Sequence, residues 1–279
     1  DTDPKEEATE AKVRPRITAI VGDAPFRIDW MSVYRFRCAR LNRFVHNRVI
    51  FAGDSAHVVS PFGARGGNGG IQDVDNLGWK LALVLQGKAS PELLESYNEA
   101  RVEAADENMF NSACATNFMT PRSSIERLFR DQVLALAARH PFARKLINSG
   151  RLSQPCVLSG SSLQTSGSAP LSPGHALLDA PLTGRAGPAW LVTEAQGRFT
   201  LVTANDQPLP DITGIERIGI DQAESCYPCF ADSEGCFKAR YGTAHIYLFR
   251  PDGHVCAVFD TPDVDAIVTA HNRAMGATQ

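Results

Sequence analysis

The amino-acid sequence of 279 residues predicts a protein of the α/β class, and two observations carry this prediction. In the first half, a short apolar run is followed by a glycine-rich segment and then by apolar residues at helical spacing, as in the strand, turn and helix of an α/β fold. In the second half, several short strand candidates lie between turn residues and precede a final helix. The length suffices for two domains.

Composition and charge exclude several classes of partner. Hydrophobic residues make up 43% of the chain, charged residues 21%, and the formal net charge is −3. Because this balance is slightly acidic and the basic residues are scattered, we expect no nucleic-acid partner. The sequence also lacks the run of about 18 apolar residues that a membrane-spanning helix needs. The seven cysteines, at irregular spacing, are typical of a reducing compartment, so we expect a cytoplasmic protein.

The N-terminal segment combines a charged lead with a predicted strand. Residues 1–16 are rich in charge and are expected to form a solvated or disordered end. Between Phe26 and Cys38, apolar side chains alternate with charged ones, which is the period of a half-buried strand. Trp30 and Tyr34 fall on the apolar side of this pattern, so we expect them in the core rather than in a substrate pocket.

A second strand and three helices are predicted from residue 48 onward. The segment RVIFAGD, residues 48–54, is typical of a strand buried on both faces, with Asp54 at its carboxyl end. A helix is predicted over residues 70–87, where apolar residues recur every three or four positions. Two further helices are predicted over residues 91–118 and 121–140.

The second half begins with a predicted linker. Residues 149–174 are dense in Ser, Gly and Pro, so we divide the chain into residues 1–150, a linker at 151–171 and a domain at 172–279. The RPDG sequence at residues 250–253 predicts a hairpin, since Pro251 presets φ and Asp-Gly tolerates a tight bend. Strands are expected at residues 189–193, 199–203, 215–220, 246–249 and 255–259, and a last helix at 262–275.

A cofactor site is predicted where the strand at residues 48–54 ends. Open α/β folds bind cofactors at the carboxyl ends of their strands, and Asp54 lies at such an end. The glycines that follow allow backbone N–H groups to approach a ligand, and a helix that begins near residues 66–70 directs its positive end to the same place. Because an ionised Asp54 accepts hydrogen bonds but repels phosphate, it suits a sugar or ribityl hydroxyl.

This segment resembles the second FAD-binding motif of the class A FAD-dependent aromatic hydroxylases, the flavoprotein monooxygenases of the phenol hydroxylase and 3-hydroxyphenylpropionate hydroxylase type. The motif is long and its residue types are unusual, so the resemblance is specific. The residues that carry it are Gly53, Asp54, Ser55, Ala56, His57, Pro61, Gly63, Gly66, Asn68, Gly70, Asp73, Asn76, Leu77, Trp79, Lys80 and Leu81.

The resemblance implies roles for six cofactor-binding residues. Asp54, which follows Gly53, would hold the ribityl chain of FAD. Pro61 would lie beside the isoalloxazine ring, where the substrate approaches. The backbone of Gly66, Gly67 and Asn68 would face the pyrimidine edge of the flavin. One departure is Ala64, where many relatives carry glycine, and its methyl group affects the expected loop geometry.

The same resemblance implies an activity. A relative of this family binds FAD, accepts hydride from NADH or NADPH, and reacts the reduced flavin with O₂ to give a C4a-hydroperoxide that hydroxylates a small aromatic, phenolic substrate. No catalytic residue is identified in this sequence. Because the family's N-terminal G-x-G-x-x-G motif is absent from these residues, we expect this chain to be the C-terminal part of a hydroxylase, unable to bind FAD tightly and inactive alone.

The C-terminal part carries a second resemblance. Residues 172–182 and 247–259 are similar to the thioredoxin-like domain that relatives of phenol hydroxylase add at their C-terminus. The resemblance implies a thioredoxin-like α/β domain and allows a homodimer formed through it.

Other interpretations remain open. Asp54 can instead cap the following turn, and the whole chain can be a non-catalytic dimerisation or interaction module with a vestigial flavin loop. Cys226 and Cys229 form a C-x-x-C pair, but its late position disfavours a dithiol redox site. Adding Cys236 and His245 gives four potential zinc ligands at spacings that fit no common zinc pattern, so no metal is expected.

Overall fold

The computed structural model describes residues 3–147, 154–222 and 226–277. The chain divides into two compact units, Asp1–Arg37 and Cys38–Gln279. The predicted division into residues 1–150, 151–171 and 172–279 stays a prediction. Within the described part of the chain, no helix is both long enough and apolar enough to cross a membrane.

The first unit is helical at its start and irregular afterwards. Helix α1 (Pro4–Glu7) is followed by α2 (Glu10–Val21), so the described part of the charged lead is helical, and neither helix buries a residue, as expected of a solvated end. The predicted strand at residues 26–38 is wrong, since these residues form no strand. A strand needs hydrogen-bonded neighbours, and none pairs here among the described residues. Trp30 and Tyr34 are consequently exposed, 72% and 66%, and do not belong to a core.

The second unit opens with four short strands. They are β1 (Ala39–Arg40), β2 (Val45–His46), β3 (Val49–Ile50) and β4 (His57–Val58). Strand β1 pairs antiparallel with β4, and β2 pairs antiparallel with β3. The predicted strand at residues 48–54 is therefore shorter than expected, and Val49 is exposed because β3 belongs to a small hairpin rather than to a covered parallel sheet.

Four helices follow, and the three predicted ones are confirmed. They are α3 (Arg65–Leu85), α4 (Glu95–Met119), α5 (Ser124–Ala137) and α6 (Pro141–Ile147). A 3₁₀ turn at Pro91–Leu94 leads into α4. Helix α5 begins with a capping box, in which Ser123 accepts from the N–H of Glu126 and the Glu126 carboxylate accepts from the N–H of Ser123. Pro141 interrupts the helical pattern as expected and then starts α6.

The C-terminal part is built on a five-stranded mixed sheet. Its strands lie in the order β11 (Val255–Phe259), β10 (Ile246–Phe249), β7 (Phe199–Thr203), β8 (Ile215–Ile220) and β9 (Cys229–Phe230). The predicted strands β7 (Phe199–Thr203), β8 (Ile215–Ile220), β10 (Ile246–Phe249) and β11 (Val255–Phe259) are confirmed, as is the hairpin of β10 and β11. Strand β9 (Cys229–Phe230) completes the sheet. Strands β7, β8 and β9 run parallel, whereas β10 is antiparallel to β7 and β11.

Helices cover both faces of this sheet. Along β10, Tyr247 and Phe249 pack on one side with residues of α7 (Leu191–Ala195) and α8 (Cys236–Tyr241). Ile246 and Leu248 pack on the other side with α9 (Val264–Ala274). A separate hairpin joins β5 (Pro181–Gly184) to β6 (Gly187–Trp190). The strand predicted at residues 189–193 is thus partly wrong, because α7 begins at Leu191.

The predicted linker is a packed strap. Of its residues, 151–153 lie outside the described part, and residues 154–171 form neither helix nor strand. Leu158, Leu163 and Leu171 are nevertheless buried. The hydroxyl of Ser162 donates to Glu99 of α4 over 2.7 Å, and the N–H of Thr165 donates to the carbonyl of Cys256 in β11 over 2.8 Å. The strap is therefore bonded to both parts that it connects.

Candidate cofactor site

The predicted site centres on a tight turn that carries Asp54. Residues Gly53–Ser55 form a single 3₁₀ turn, and Gly53 has a φ of +58°, which favours glycine. The Ser55 hydroxyl donates to the carbonyl of Ala52 over 2.7 Å, so Ser55 rather than Asp54 satisfies the turn. Asp54 is exposed. Its carboxylate is available to a ligand instead of serving as the cap of the turn.

Helix α3 begins directly after the glycine-rich loop. Ala64 precedes it with a φ of +53°, in the left-handed region. Ala64 thus keeps the conformation that glycine would adopt, at a cost of about 1–2 kcal/mol. The Asn68 side chain donates to the carbonyl of Ala64 over 2.8 Å. The first N–H groups of an α-helix have no acceptor within the helix, so those of Arg65, Gly66 and Gly67 form a positive end.

Glycines bring the turn and the helix into close contact. A Cβ atom added to Gly70 would lie 3.3 Å from the Cα atom of Gly53, and one added to Gly69 would lie 3.1 Å from Cε1 of His57. A side chain at either position would push the turn away from the helix. Gly67 differs, since a Cβ atom there would meet nothing within 4 Å. The helix surface at Gly67 is open.

Asp73 of α3 locks this contact with a buried ionic network. Its carboxylate accepts hydrogen bonds from the N–H of Gly53 over 2.8 Å, from Nε2 of His57 over 2.7 Å and from Nε of Arg101 over 2.6 Å. Asp73 has no exposed surface, and His57 and Arg101 are buried. Burial favours a raised pKa of Asp73, but the hydrogen bond from His57 and the charge of Arg101 outweigh it, so this pKa is lowered. One carboxylate therefore joins the Asp54 turn, α3 and α4.

An apolar cavity lies beside the same loop. Its volume is about 720 Å³, and Arg130 is the charged residue of its lining. Its apolar lining comes from the loop and from helices α4 and α5, with Phe62, Ala115, Phe118, Met119 and Leu134. The cavity therefore suits a flat, apolar molecule better than an ionic one.

The six predicted cofactor residues lie in three successive segments of the chain. Gly53 and Asp54 belong to the turn, whereas Pro61 lies in the loop and the other three, Gly66, Gly67 and Asn68, lie in the first turn of α3. Pro61 is exposed, and its carbonyl accepts from the N–H of Ala64 over 3.0 Å. Their role as FAD ligands stays a prediction, since their contacts with a cofactor are not part of the structure.

Sequence reasoning missed the groups that hold these residues in place. Arg101 carries no motif signal because it lies 28 positions from its partner Asp73. Arg65 is buried and donates to Asn108 of α4. Its Nε and Nη2 atoms have no hydrogen-bond partner among the residues that the structure describes. His57, given no chemical role from the sequence, is a hydrogen-bonding residue of the Asp73 network.

The cysteine pair does not form a disulfide. Cys226 and Cys229 are both unbridged, as are the other five cysteines. Among the described residues, no three potential metal ligands of the His, Cys, Asp and Glu types come together.

The sequence is similar to a known family and to known proteins. Residues 1–112 match the family described as FAD binding domain. The chain is 29% identical over 256 residues to the anhydrotetracycline monooxygenase of Streptomyces rimosus. This alignment covers 89% of this chain and 47% of the relative. It is 32% identical over 179 residues to the 3-(3-hydroxy-phenyl)propionate/3-hydroxycinnamic acid hydroxylase of Escherichia coli (strain K12), covering 63% of this chain and 32% of the relative.

Solved structures of flavin-dependent enzymes and hydroxylases also superpose on this chain. The anhydrotetracycline hydroxylase OxyS from Streptomyces rimosus superposes with a TM-score of 0.67 at 27% identity, over 97% of this chain and 54% of that one. The flavin-dependent monooxygenase PieE, solved with FAD and substrate, gives a TM-score of 0.74 at 22% identity, over 99% of this chain and 55% of that one, and shows a shared fold. This chain spans about half the length of these structures. The predicted α/β fold and the predicted resemblance are thus confirmed: residues 1–112 match the family described as FAD binding domain, and the chain is similar to proteins named as hydroxylases and monooxygenases.

Proposed function

We propose that this chain forms one wall of the FAD site of an aromatic-ring monooxygenase. The observation that carries the proposal is the exposed Asp54 carboxylate, held by the Asp73 network against the first turn of α3. The Asp54 carboxylate, which is an acceptor, therefore lies on a segment that adjoins the first turn of α3. The N–H groups of that turn have no acceptor within the helix. This pairing matches a ligand that combines hydroxyl groups with an electron-rich ring edge.

The donor set fits FAD. The Asp54 carboxylate would accept a hydrogen bond from a ribityl hydroxyl, and the N–H groups of Arg65, Gly66 and Gly67 would donate to the pyrimidine edge. The open surface at Gly67 leaves room for a ring to approach the backbone. When bound, FAD supplies the hydride and oxygen chemistry of the reaction. The positive end of α3 would favour negative charge on the ring edge that it faces.

The apolar cavity beside Pro61 is our candidate for part of the aromatic substrate site. Its lining by Phe62, Phe118 and Met119 would pack against a ring and exclude water. The overall reaction would consume O₂ and NADH or NADPH, place one oxygen atom on the ring as a hydroxyl and release the other as water. The reductant, a homodimer contact through residues 172–279 and the cytoplasmic location stay predictions from the sequence.

Amide NMR with a pair of glycine variants tests the proposal. FAD added to the 279-residue chain should shift the amide signals of Gly53, Asp54 and residues 66–68 more than those of α9. Gly67→Ala should reduce this binding, because the new methyl group would occupy the open surface while touching nothing in the protein. Gly78→Ala on the same helix is the matched control, since its methyl group also meets nothing within 4 Å.

Two results would contradict the proposal. One is an absence of shifts at these residues with FAD in large excess, and the other is equal binding by both glycine variants. The expected weak affinity of the isolated chain does not prevent the test, since amide shifts report binding that is too weak for purification with bound cofactor.

A further inference from the structure

Helix α3 buries mainly polar side chains, whereas its Leu77 and Trp79 pack partly buried against apolar clusters. Its buried residues are Arg65, Gly69, Asp73, Asn76 and Lys80. Three of its apolar residues, Ile71, Val74 and Leu85, are exposed by 70%, 63% and 77%. A surface helix normally places its apolar stripe against the core. The position of α3 therefore depends on the partners of its polar face.

The partners of its middle section come from the C-terminal hairpin. Nδ2 of Asn76 donates to the Asp252 carboxylate over 2.8 Å, and Nζ of Lys80 donates to Oδ1 of Asn76 over 2.8 Å. Arg250 binds the same carboxylate with two hydrogen bonds, of 3.0 and 2.9 Å. Arg250 and Asp252 belong to the RPDG turn between β10 and β11. Asp252, which contacts Asn76 directly, lies 176 positions after it in the sequence.

This cluster is closed to water. Lys80 has no exposed surface, and Arg250 and Asp252 are 2% and 6% exposed. The indole ring of Trp79 lies 5.6 Å from Nζ of Lys80 and packs edge-on against Phe199 of the C-terminal sheet. Burial opposes ionisation of Asp252, but the charge of Arg250 outweighs it, so the pKa of this carboxyl is held well below its usual range. The carboxylate is thus the anion of a buried cluster that also contains the basic groups of Arg250, His254 and Lys80.

We propose that Asp252 and Arg250 are positioning residues for the candidate FAD site. They hold α3 through Asn76, and α3 in turn holds the Asp54 turn through Asp73. Asn76 lies eight to ten residues beyond Gly66–Asn68, which is roughly 12–15 Å along a rigid helix. A shift of α3 at Asn76 is therefore transmitted to its first turn. This inference rests on the proposed function for the ligand, but the coupling to α3 does not depend on it.

Hydrogen exchange in the cofactor-free chain tests the coupling directly. Asn76→Ala cuts the link between α3 and the hairpin while leaving the Arg250–Asp252 pair intact. The amides of residues 69–73 should then exchange about tenfold faster or more, because a buried hydrogen bond to a charged group is lost. The same variant should weaken the FAD-induced amide shifts at Asp54 and residues 66–68.

Asp232→Asn provides the matched control. Asp232 is also a buried carboxylate of the C-terminal part, and it accepts from the N–H groups of Phe237 and Lys238 at the start of α8. Its loss should lower the unfolding midpoint without a selective effect on residues 69–73. Should Asn76→Ala not fold, Asn76→Ser removes the same amide and retains a small polar group.

The outcomes separate the two proposals. Selective loss of protection in α3 with Asn76→Ala, and not with Asp232→Asn, supports the positioning role. Equal effects of the two variants on residues 69–73 would overturn it, since the hairpin would then contribute only general stability. If the unmodified chain shows no FAD-induced shifts at all, the proposed function fails, whereas the exchange data still decide whether the hairpin positions α3.

Discussion

Replacing Asp73 by Asn tests whether the buried ionic network assembles the candidate site. The Asp73 carboxylate accepts three hydrogen bonds, from Gly53, His57 and Arg101, and is completely buried. Asparagine has the same shape, but its amide group has one acceptor and one donor. At least one of the three donors would therefore face an N–H group. The Arg101 guanidinium would lose the charge that compensates it.

The expected loss follows from burial. Breaking a buried ion pair by removing one partner costs about 3–5 kcal/mol, because the remaining charge stays out of water. Among the described residues, Arg101 would keep a 3.2 Å bond to the carbonyl of Gly69 and a 3.5 Å contact with Gln72 as its hydrogen bonds. We therefore expect Asp73→Asn to lower the free energy of unfolding by about 3 kcal/mol or more. This is a large share of the roughly 5–15 kcal/mol that stabilises a typical domain.

Urea unfolding followed by circular dichroism measures this loss. Asp106→Asn is the control, since Asp106 also binds an arginine, Arg40, with two hydrogen bonds, of 2.6 and 2.8 Å, but is half exposed. An exposed pair contributes about 1 kcal/mol or less. A loss of less than 1 kcal/mol for Asp73→Asn, or one equal to that of the control, would refute the reasoning.

The effect of Asp73→Asn also has a defined pH dependence. Because the pKa of Asp73 is lowered in the folded chain, its carboxylate contributes full stability above the unfolded value of about 3.9. This contribution is lost as the pH falls through the lowered value. The difference between the two proteins should therefore shrink in acid.

Three further predictions concern α3. Ala64→Gly should raise the free energy of unfolding by about 1 kcal/mol, because Ala64 has a left-handed φ, and urea unfolding checks it. Gly69→Ala should cost about 1–3 kcal/mol through its contact with His57, whereas Gly78→Ala should gain about 1 kcal/mol on an open helix surface; equal melting temperatures would contradict this. Burial, then the charge of Arg250, hold the pKa of Lys80 well below its usual value. Between this lowered pKa and the unfolded value of about 10.4, the folded chain binds fewer protons than the unfolded chain. The wild type should therefore gain stability relative to Lys80→Met as the pH rises. Urea unfolding at neutral and at alkaline pH measures this gain.

Local patterns were predictable from the sequence, and contacts between distant residues were not. The hairpin of β10 and β11 follows from alternating apolar residues around an Asp-Gly turn, all within 14 positions. The helices α3 and α4 follow from their periodicity. The strand expected at residues 26–38 fails because a strand also needs partners that its own sequence does not specify. Composition predicted a linker at the strap, but it did not predict the hydrogen bonds from the serine hydroxyls of the strap to α4.

The same distinction explains the candidate site. Its proposed ligand-facing residues, Asp54 and residues 66–68, could be proposed from the sequence because they form one short motif with unusual residue types. The groups that fix their geometry lie far away along the chain, at Arg101 and Asp252. Periodicity assigns the apolar residues of α3 to the core, but the structure exposes three of them and buries Asp73 and Asn76 instead. A helix that buries polar side chains needs buried hydrogen-bond partners for them. For α3, the Asp73 network supplies these partners near its first turns, and Asp252 supplies them at its middle. Variants of Asp73 and Asn76 should therefore be more damaging to the geometry of the site than truncation of Ile71 or Val74, the reverse of what the hydrophobic pattern indicates.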